Sequence, residues 1–294
     1  MKIIKLKPLG FCKGVDYAYN KTIEIITKNP KKEIILIGQL VHNKLVNDQL
    51  LSFKNVTIID DSFSSRLELI SNVIRTKNRK NTIIIFSAHG SDYQAIELAR
   101  QADFEVYDLT CGYVKKTLKL ISKYLTKGYQ IAYFGVNNHP EFLAAKALDE
   151  NIVLITNRDD LKKIQDKNTF FICQTTMSYL DFEKLKKELI NFKSKIIFSN
   201  EICNECRIRQ ENVLNITNKN SVILVVSDSS SNNGKTLYKL ATKNNIKAYI
   251  VSELKEVIEI ENFLKIYDNI YIVSSSSTSS QEIEKITNHL ARFN

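Results

Sequence analysis

The chain has 294 residues, 44% of them hydrophobic and 25% charged, which suits two or three compact α/β units and excludes one small module. Its formal charge of +10 favours phosphate-bearing or acidic partners, yet the lysines are dispersed over expected helix faces such as Phe182–Lys187 and tryptophan is absent, so nucleic acid is not an expected partner. No stretch has the apolar length of a membrane span, the start Met1 to Pro8 lacks the core of a signal peptide, and five cysteines, an odd number, point to a reducing compartment, by default the cytoplasm.

In chain order, short β-branched runs alternate with helical patterns. The first third predicts strands at Glu33–Ile37, Val56–Ile59, Thr82–Phe86 and Phe104–Tyr107. The second predicts Gln130–Phe134, Ile152–Ile155, Thr169–Ile172 and Lys195–Phe198, and the last Ser221–Val226, Lys247–Val251 and Asn269–Val273. Their apolar character is continuous rather than alternating, as in parallel sheets buried on both faces. Cys12, Cys111 and Cys203 each stand where an extended segment gives way to a helical run, about a third of the chain apart, which is a repeat signal. The expected fold is α/β: three similar units with mainly parallel sheets, divided as 1–110, 111–201 and 202–294, with the cysteines facing a common centre.

Polar clusters follow the strands. His42 follows the first, Ser87-Ala88-His89-Gly90 the third and His139-Pro140-Glu141 the strand Gln130–Phe134. Gln174-Thr175-Thr176, Ser231-Asn232-Asn233 and the run Ser274 to Ser280 close the series. Ligands of parallel α/β sheets bind beyond the carboxyl ends of strands, so these clusters read as one composite site. Three of the four histidines lie in it; with Thr175, Ser231, Asn233 and Ser277 they supply donors suited to a diphosphate. No Walker A or GxGxxG pattern accompanies them.

A thiolate at a helix N-terminus is stabilised by the amides there, so each of the three cysteines is expected to have a lowered pKa. Three thiolates suit an iron–sulfur cluster with one iron left open for catalysis; from spacing alone, core cysteines are the alternative. Glu141, near a bound anion and away from water, is the expected proton carrier, unless it serves only the dipole of the helix it opens. Cys173 ends a buried strand and is expected in the core.

Taken together, Gly10-Phe11-Cys12 with Gly14-Val15, Val41-His42-Asn43, Ser87-Ala88-His89-Gly90, Thr110-Cys111, His139-Pro140-Glu141, Gln174-Thr175-Thr176 and Ile202-Cys203 with Arg209-Gln210-Glu211 resemble the ordered motifs of the LytB family across nearly the whole chain. The resemblance implies a cloverleaf of three α/β domains around a [4Fe–4S] cluster ligated by Cys12, Cys111 and Cys203. It implies reductive dehydroxylation of 4-hydroxy-3-methylbut-2-enyl diphosphate to isopentenyl and dimethylallyl diphosphate, the last step of the methylerythritol phosphate route to isoprenoids. His42, His89 and His139 would hold the diphosphate, completed by Ser231, Asn233 and Ser277. Thr175 and Glu141 would stand by the substrate hydroxyl, and a ferredoxin or flavodoxin would supply electrons.

Four positions depart from the family pattern. Gly112 replaces a proline after the second cysteine, Asn232 replaces a serine in the diphosphate pocket, and Ser274 to Ser279 stand for Ala-Gly-Ala-Ser-Thr-Pro. Cys206 replaces a threonine, three residues from Cys203 on one expected helix face. It opens a rival reading: a closed four-cysteine cluster in a non-catalytic electron-transfer or sensor protein, or a Cys-x-x-Cys zinc site.

Overall fold

The computed structural model describes residues 1–60, 65–190, 195–199, 202–218 and 220–293. Its strands are β1 (Lys2–Lys5), β2 (Glu33–Ile37), β3 (Val56–Ile59), β4 (Thr82–Phe86), β5 (Glu105–Asp108), β6 (Gln130–Phe134), β7 (Val153–Ile155), β8 (Thr169–Cys173), β9 (Ile196–Phe198), β10 (Ser221–Val226), β11 (Lys247–Val251) and β12 (Asn269–Ser274). They form three four-stranded sheets, in the orders β3-β2-β4-β5, β7-β6-β8-β9 and β11-β10-β12-β1. Every pairing is parallel.

The unbroken apolar runs have the cause expected of them. In the first sheet Ile34, Leu36, Ile83 and Ile85 pack into a core on one face. Their neighbours Ile35, Ile37, Ile84 and Phe86 pack into a second core on the other. Both faces are covered, so alternation has nothing to select for. The second sheet repeats this with Ala132, Phe134 and Phe171 against Tyr133, Phe170 and Ile172, and Cys173 is a core residue there. The third does so with Val222, Leu224 and Val226 against Ile223 and Val225. Each such side chain contributes about 1.5–3 kcal/mol on burial.

One strand departs from the sequence expectation. No strand is expected before Glu33 and residues 1–110 are assigned to the first unit, yet β1 pairs with β12, from Lys2 opposite Asn269 to Lys5 opposite Ile272. Its two lysines flank only Ile3 and Ile4, both half-buried, so the run is too short to show an apolar pattern. With β1 in place the three sheets have the same order. Each ends in an edge strand that passes the chain to the next unit: β1 to Cys12, β5 to Cys111 and β9 to Cys203. The join expected at residue 201 lies outside the described residues.

The three cysteines are the N-caps of the helices Lys13–Lys28, Gly112–Leu125 and Asn204–Leu214, and none uses its side chain to cap. Their sulfurs therefore remain available to whatever lies beyond the helix ends. Gly14 makes the close approach possible, since a Cβ there would lie 2.6 Å from Cys111 Sγ. Among the described residues no helix is long and apolar enough to cross a membrane.

Arg209, 2% exposed, ties the closing join together. Its Nη1 donates to Pro8 O at 2.7 Å and to Ser274 O and Oγ at 3.1 Å, and its Nη2 donates to Gly10 O at 2.9 Å. Glu205 Oε2 lies 3.9 Å away and offsets part of the charge. Replacing this guanidinium leaves buried acceptors without donors. Arg209→Met is expected to lower the unfolding free energy by about 3–5 kcal/mol, read from urea titrations; an unchanged midpoint would show that the tie contributes nothing.

Candidate active site

Loops beyond the carboxyl ends of β2, β4, β6, β8, β10 and β12 meet in one cavity of about 70 Å³. It brings together every residue expected from the sequence: Cys12, Cys111, Cys203, His42, His89, His139, Glu141, Thr175, Ser231, Asn232, Asn233 and Ser277. The three cysteines also line a second, wider hollow of about 730 Å³, with Lys13, Lys115 and Lys116 around it. The thiols therefore border both hollows.

Burial changes the thiol chemistry expected from the helix ends. It raises the Cys12 pKa, and the neighbouring Cys111 and Cys203 add to the rise, while the amides of Val15 and Gly14 act the other way. Cys111 is likewise raised by burial against the amides of Tyr113 and Val114. Desolvation of a thiolate outweighs the helix amides at these two positions. Only Cys203 is lowered, chiefly by its hydrogen bond with Cys206. Among the described residues no three His, Cys, Asp or Glu side chains stand close enough to share one metal ion. The thiols surround a hollow rather than a point, which suits a cluster bound through separate irons better than a single zinc.

The three imidazoles meet at the cavity wall. The His42 and His89 rings stack with centroids 4.0 Å apart, and His139 meets them edge-on at 5.2 and 6.0 Å. Burial pushes His89 well below the usual imidazole range, and His42 and His139 reinforce the shift. His139 falls to about 3 for the same first reason. As N-cap of the helix Pro140–Lys146, its Nδ1 accepts the Glu141 amide at 3.2 Å. That bond requires a neutral ring with the proton on Nε2, so His139 is a fixed donor. Arg66 supports the His89 loop by donating to Gly90 O, to Ser91 Oγ and, at 3.3 Å, to Ser87 Oγ.

Glu141, 4% exposed, is held among the described residues by Thr175: Oγ1 donates to Oε1 at 2.7 Å and the amide to Oε2 at 3.0 Å. Burial raises its pKa to about 7 although both bonds oppose the rise. Thr175 O in turn accepts the Cys203 amide at 3.3 Å, which links the carboxyl group to a thiol-bearing helix.

The third unit supplies the remaining wall. Ser231 Oγ caps the helix Asn232–Lys243 by accepting the Gly234 amide at 3.3 Å, and its own hydrogen stays available to donate. Asn233 Nδ2 reaches Cys206 Sγ at 2.9 Å and Ser276 Oγ at 3.4 Å. Ser277 Oγ donates to His42 O at 3.1 Å, and Asn43 Nδ2 donates to Ser277 O at 2.9 Å, clasping the first unit to the third. Asn232 lines the cavity but turns its amide to Thr176 O and Oγ1, at 3.2 and 3.0 Å, so it clasps the second unit to the third.

The additional serines have structural partners. Ser274 Oγ accepts from Gly10 N at 2.9 Å, and Ser275 Oγ contacts Ser277 and Thr278. Arg66 and Ser276 belong to the site's support although sequence reasoning did not single them out. Arg66 acts from a different segment and leaves no local signal. Ser276 is hidden in a serine run, yet its carbonyl accepts the Cys12 amide at 3.1 Å.

Comparison with known proteins places this arrangement in a family. Residues 3–291 match the model of the LytB protein family. The 4-hydroxy-3-methylbut-2-enyl diphosphate reductase of Malacoplasma penetrans is 40% identical over 261 residues, 87% of each chain. That of Bacillus cereus is 31% identical over 299 residues, 100% of this chain and 91% of its own. The structure of the E-1-hydroxy-2-methyl-but-2-enyl-4-diphosphate reductase from Plasmodium falciparum matches with a TM-score of 0.84 at 28% identity, over 99% of this chain and 88% of that one. On its sequence and its fold, the chain belongs to the LytB family.

Proposed function

We propose that the chain is a reductase that removes the hydroxyl group of 4-hydroxy-3-methylbut-2-enyl diphosphate, yielding isopentenyl and dimethylallyl diphosphate as the last step of the methylerythritol phosphate pathway. Substrate, two electrons and two protons give product and water. The observation that carries the reading is one cavity lined by a buried carboxyl–hydroxyl pair, three imidazoles and three helix-capping thiols. Cys12, Cys111 and Cys203, one from each join between units, would hold a [4Fe–4S] cluster. When bound, that cluster supplies the electrons and a Lewis-acidic iron.

The chain's own residues bind, orient and protonate. His139 Nε2–H, with His42, His89 and Ser231, presents donors to the diphosphate, and the helix beginning at Asn232 adds its N-terminal amides; Asn233 and Ser277 join them by exchanging their present acceptors, Cys206 Sγ, Ser276 Oγ and His42 O, for the anion. With its pKa raised to about 7, Glu141 is about half protonated at neutral pH. In the protonated form the bond between the two side chains reverses: Glu141 donates to Thr175 Oγ1, whose own hydrogen passes to the substrate hydroxyl oxygen, and that oxygen leaves as water. A cavity of about 70 Å³ is well below the roughly 300–1,000 Å³ of ordinary ligand sites. Substrate therefore enters when the units part and is sealed from water when they close. We divide these units as 1–110, 111–201 and 202–294, with β1 returned to the third. A ferredoxin or flavodoxin would deliver electrons at the wider hollow, where Lys13, Lys115 and Lys116 suit an acidic carrier. Thiols that must stay reduced support a cytoplasmic location.

The competing closed cluster with Cys206 as fourth thiolate has one supporting observation: Cys206 lines the same cavity. With three thiolates, Cys206→Ala keeps the iron and sulfide content of the anaerobically purified protein. Loss of about a quarter or more of the iron in that variant would favour the closed site.

Glu141→Gln is expected to reduce turnover by at least about 100-fold while substrate still changes the cluster's absorption; near-normal turnover would remove Glu141 from the proton path. Because its pKa is raised to about 7, Glu141 is protonated below that pH and ionises above it. Bound diphosphate pushes the pKa further up. Turnover should therefore fall on an alkaline limb with its midpoint at pH 7 or above. Persistence of the same limb in the residual activity of Glu141→Gln would assign it to another group.

A further inference from the structure

The proposed reduction assigns no step to Cys206, yet its placement beside Cys203 is specific. Cys203 caps the helix Asn204–Leu214 and Cys206 stands in the first turn of that helix. The cap residue Cys203, with extended ψ of 124°, and Cys206 lie one turn apart on the same side of the helix start, and a disulfide between them needs their Cβ atoms to close to about 4 Å. The two thiols are in hydrogen-bonding contact. Both line the smaller cavity, and Cys203 also lines the wider hollow, so a small oxidant has two routes to Cys203. Cys12 and Cys111 cap helices of other units. A bond from either to Cys203 would join two units, whereas a bond from Cys206 closes within one helical turn.

We propose that, in the metal-free protein, Cys203 and Cys206 form a reversible disulfide that protects Cys203 from irreversible oxidation. A peroxide converts the Cys203 thiol to a sulfenic acid, and its second oxygen leaves as water. The Cys206 sulfur then attacks the sulfenic sulfur; the S–S bond forms, the S–O bond breaks, and the departing hydroxide takes the Cys206 proton as a second water. The two thiols thus supply the two electrons that reduce one peroxide. A dithiol reverses the step by exchange, returning both thiols and becoming a disulfide itself. Without Cys206 the sulfenic acid has no adjacent thiol and proceeds to the irreversible sulfinic acid. The disulfide itself does not depend on the proposed function; only its use, keeping a cluster ligand ready for reloading, rests on that reading.

The test uses the full chain, stripped of metal with a chelator and exposed to a small excess of hydrogen peroxide, with oxidation states mapped by peptide mass spectrometry. The expected result is a Cys203–Cys206 linkage, leaving three of the five cysteines as thiols, and full return of both thiols with dithiothreitol. In Cys206→Ala, Cys203 is expected to accumulate as sulfinic acid that dithiothreitol does not recover. Sulfinic acid at Cys203 to the same extent in both proteins, or Cys203 linked instead to Cys12 or Cys111, would overturn the proposal. Iron and sulfide reconstitution of the recovered protein separates the two readings. A linkage that forms and reverses in a chain that never takes up a cluster removes the proposed function and keeps the disulfide. A chain that takes up a cluster when fresh but forms no linkage removes the disulfide alone.

Discussion

The parallel pairing of β1 with β12 is the constraint on which the site depends. It makes the chain's first strand the edge of the last sheet, so the threefold repeat closes on itself. Each edge strand then leads to a cysteine that caps the next helix, and all three caps meet at the centre. Without that pairing, Cys12 would hang from a loose terminus while Cys111 and Cys203 remained at true joins. Arg209 secures the closure by gathering the carbonyls of Pro8, Gly10 and Ser274 around one buried guanidinium. Its position on the Cys203 helix means that a single side chain joins the segments that carry two of the three thiols.

Around this frame, exclusion of water sets the chemistry. The same burial that holds the Glu141 proton to about pH 7 keeps His89 and His139 neutral. The result is a chamber rich in hydrogen-bond donors and poor in fixed charge. An anion entering it is met by the His139 Nε2–H already in place, while the Ser277 hydroxyl and the Asn233 amide turn to it from their present acceptors. Desolvation is also why Cys12 and Cys111 resist ionisation while nothing is bound. A metal at the thiols would reverse that balance, since coordination deprotonates a thiol outright.

Much of this was legible from residue patterns because the features are local. Central strands such as Thr82–Phe86 announce themselves by unbroken apolar character, and Cys12, Cys111 and Cys203 by their place before helical runs. The strand-end position of His42, His89 and His139 marked a shared site without any structure. What escaped depends on the other end of the chain. Lys2–Lys5 is a strand only because Asn269–Ser274 offers it an edge, and Arg66 supports His89 across a turn it does not belong to. The sign of the pKa at Cys12 and Cys111 was misjudged for a related reason: helix amides can be read from a cap, whereas depth of burial cannot. Asn232, expected at the diphosphate, lines the cavity and also clasps two units, a contact set by Thr176 of the second unit that its own segment does not announce.

The central claim is that three thiolates hold a cluster whose remaining iron is open to substrate. Mössbauer spectroscopy of the anaerobic protein, enriched in the iron isotope and compared with and without substrate, tests it most directly. The account requires one iron of the four to be spectroscopically distinct and to change when substrate is added. Four equivalent, cysteine-like irons that are indifferent to substrate would contradict it.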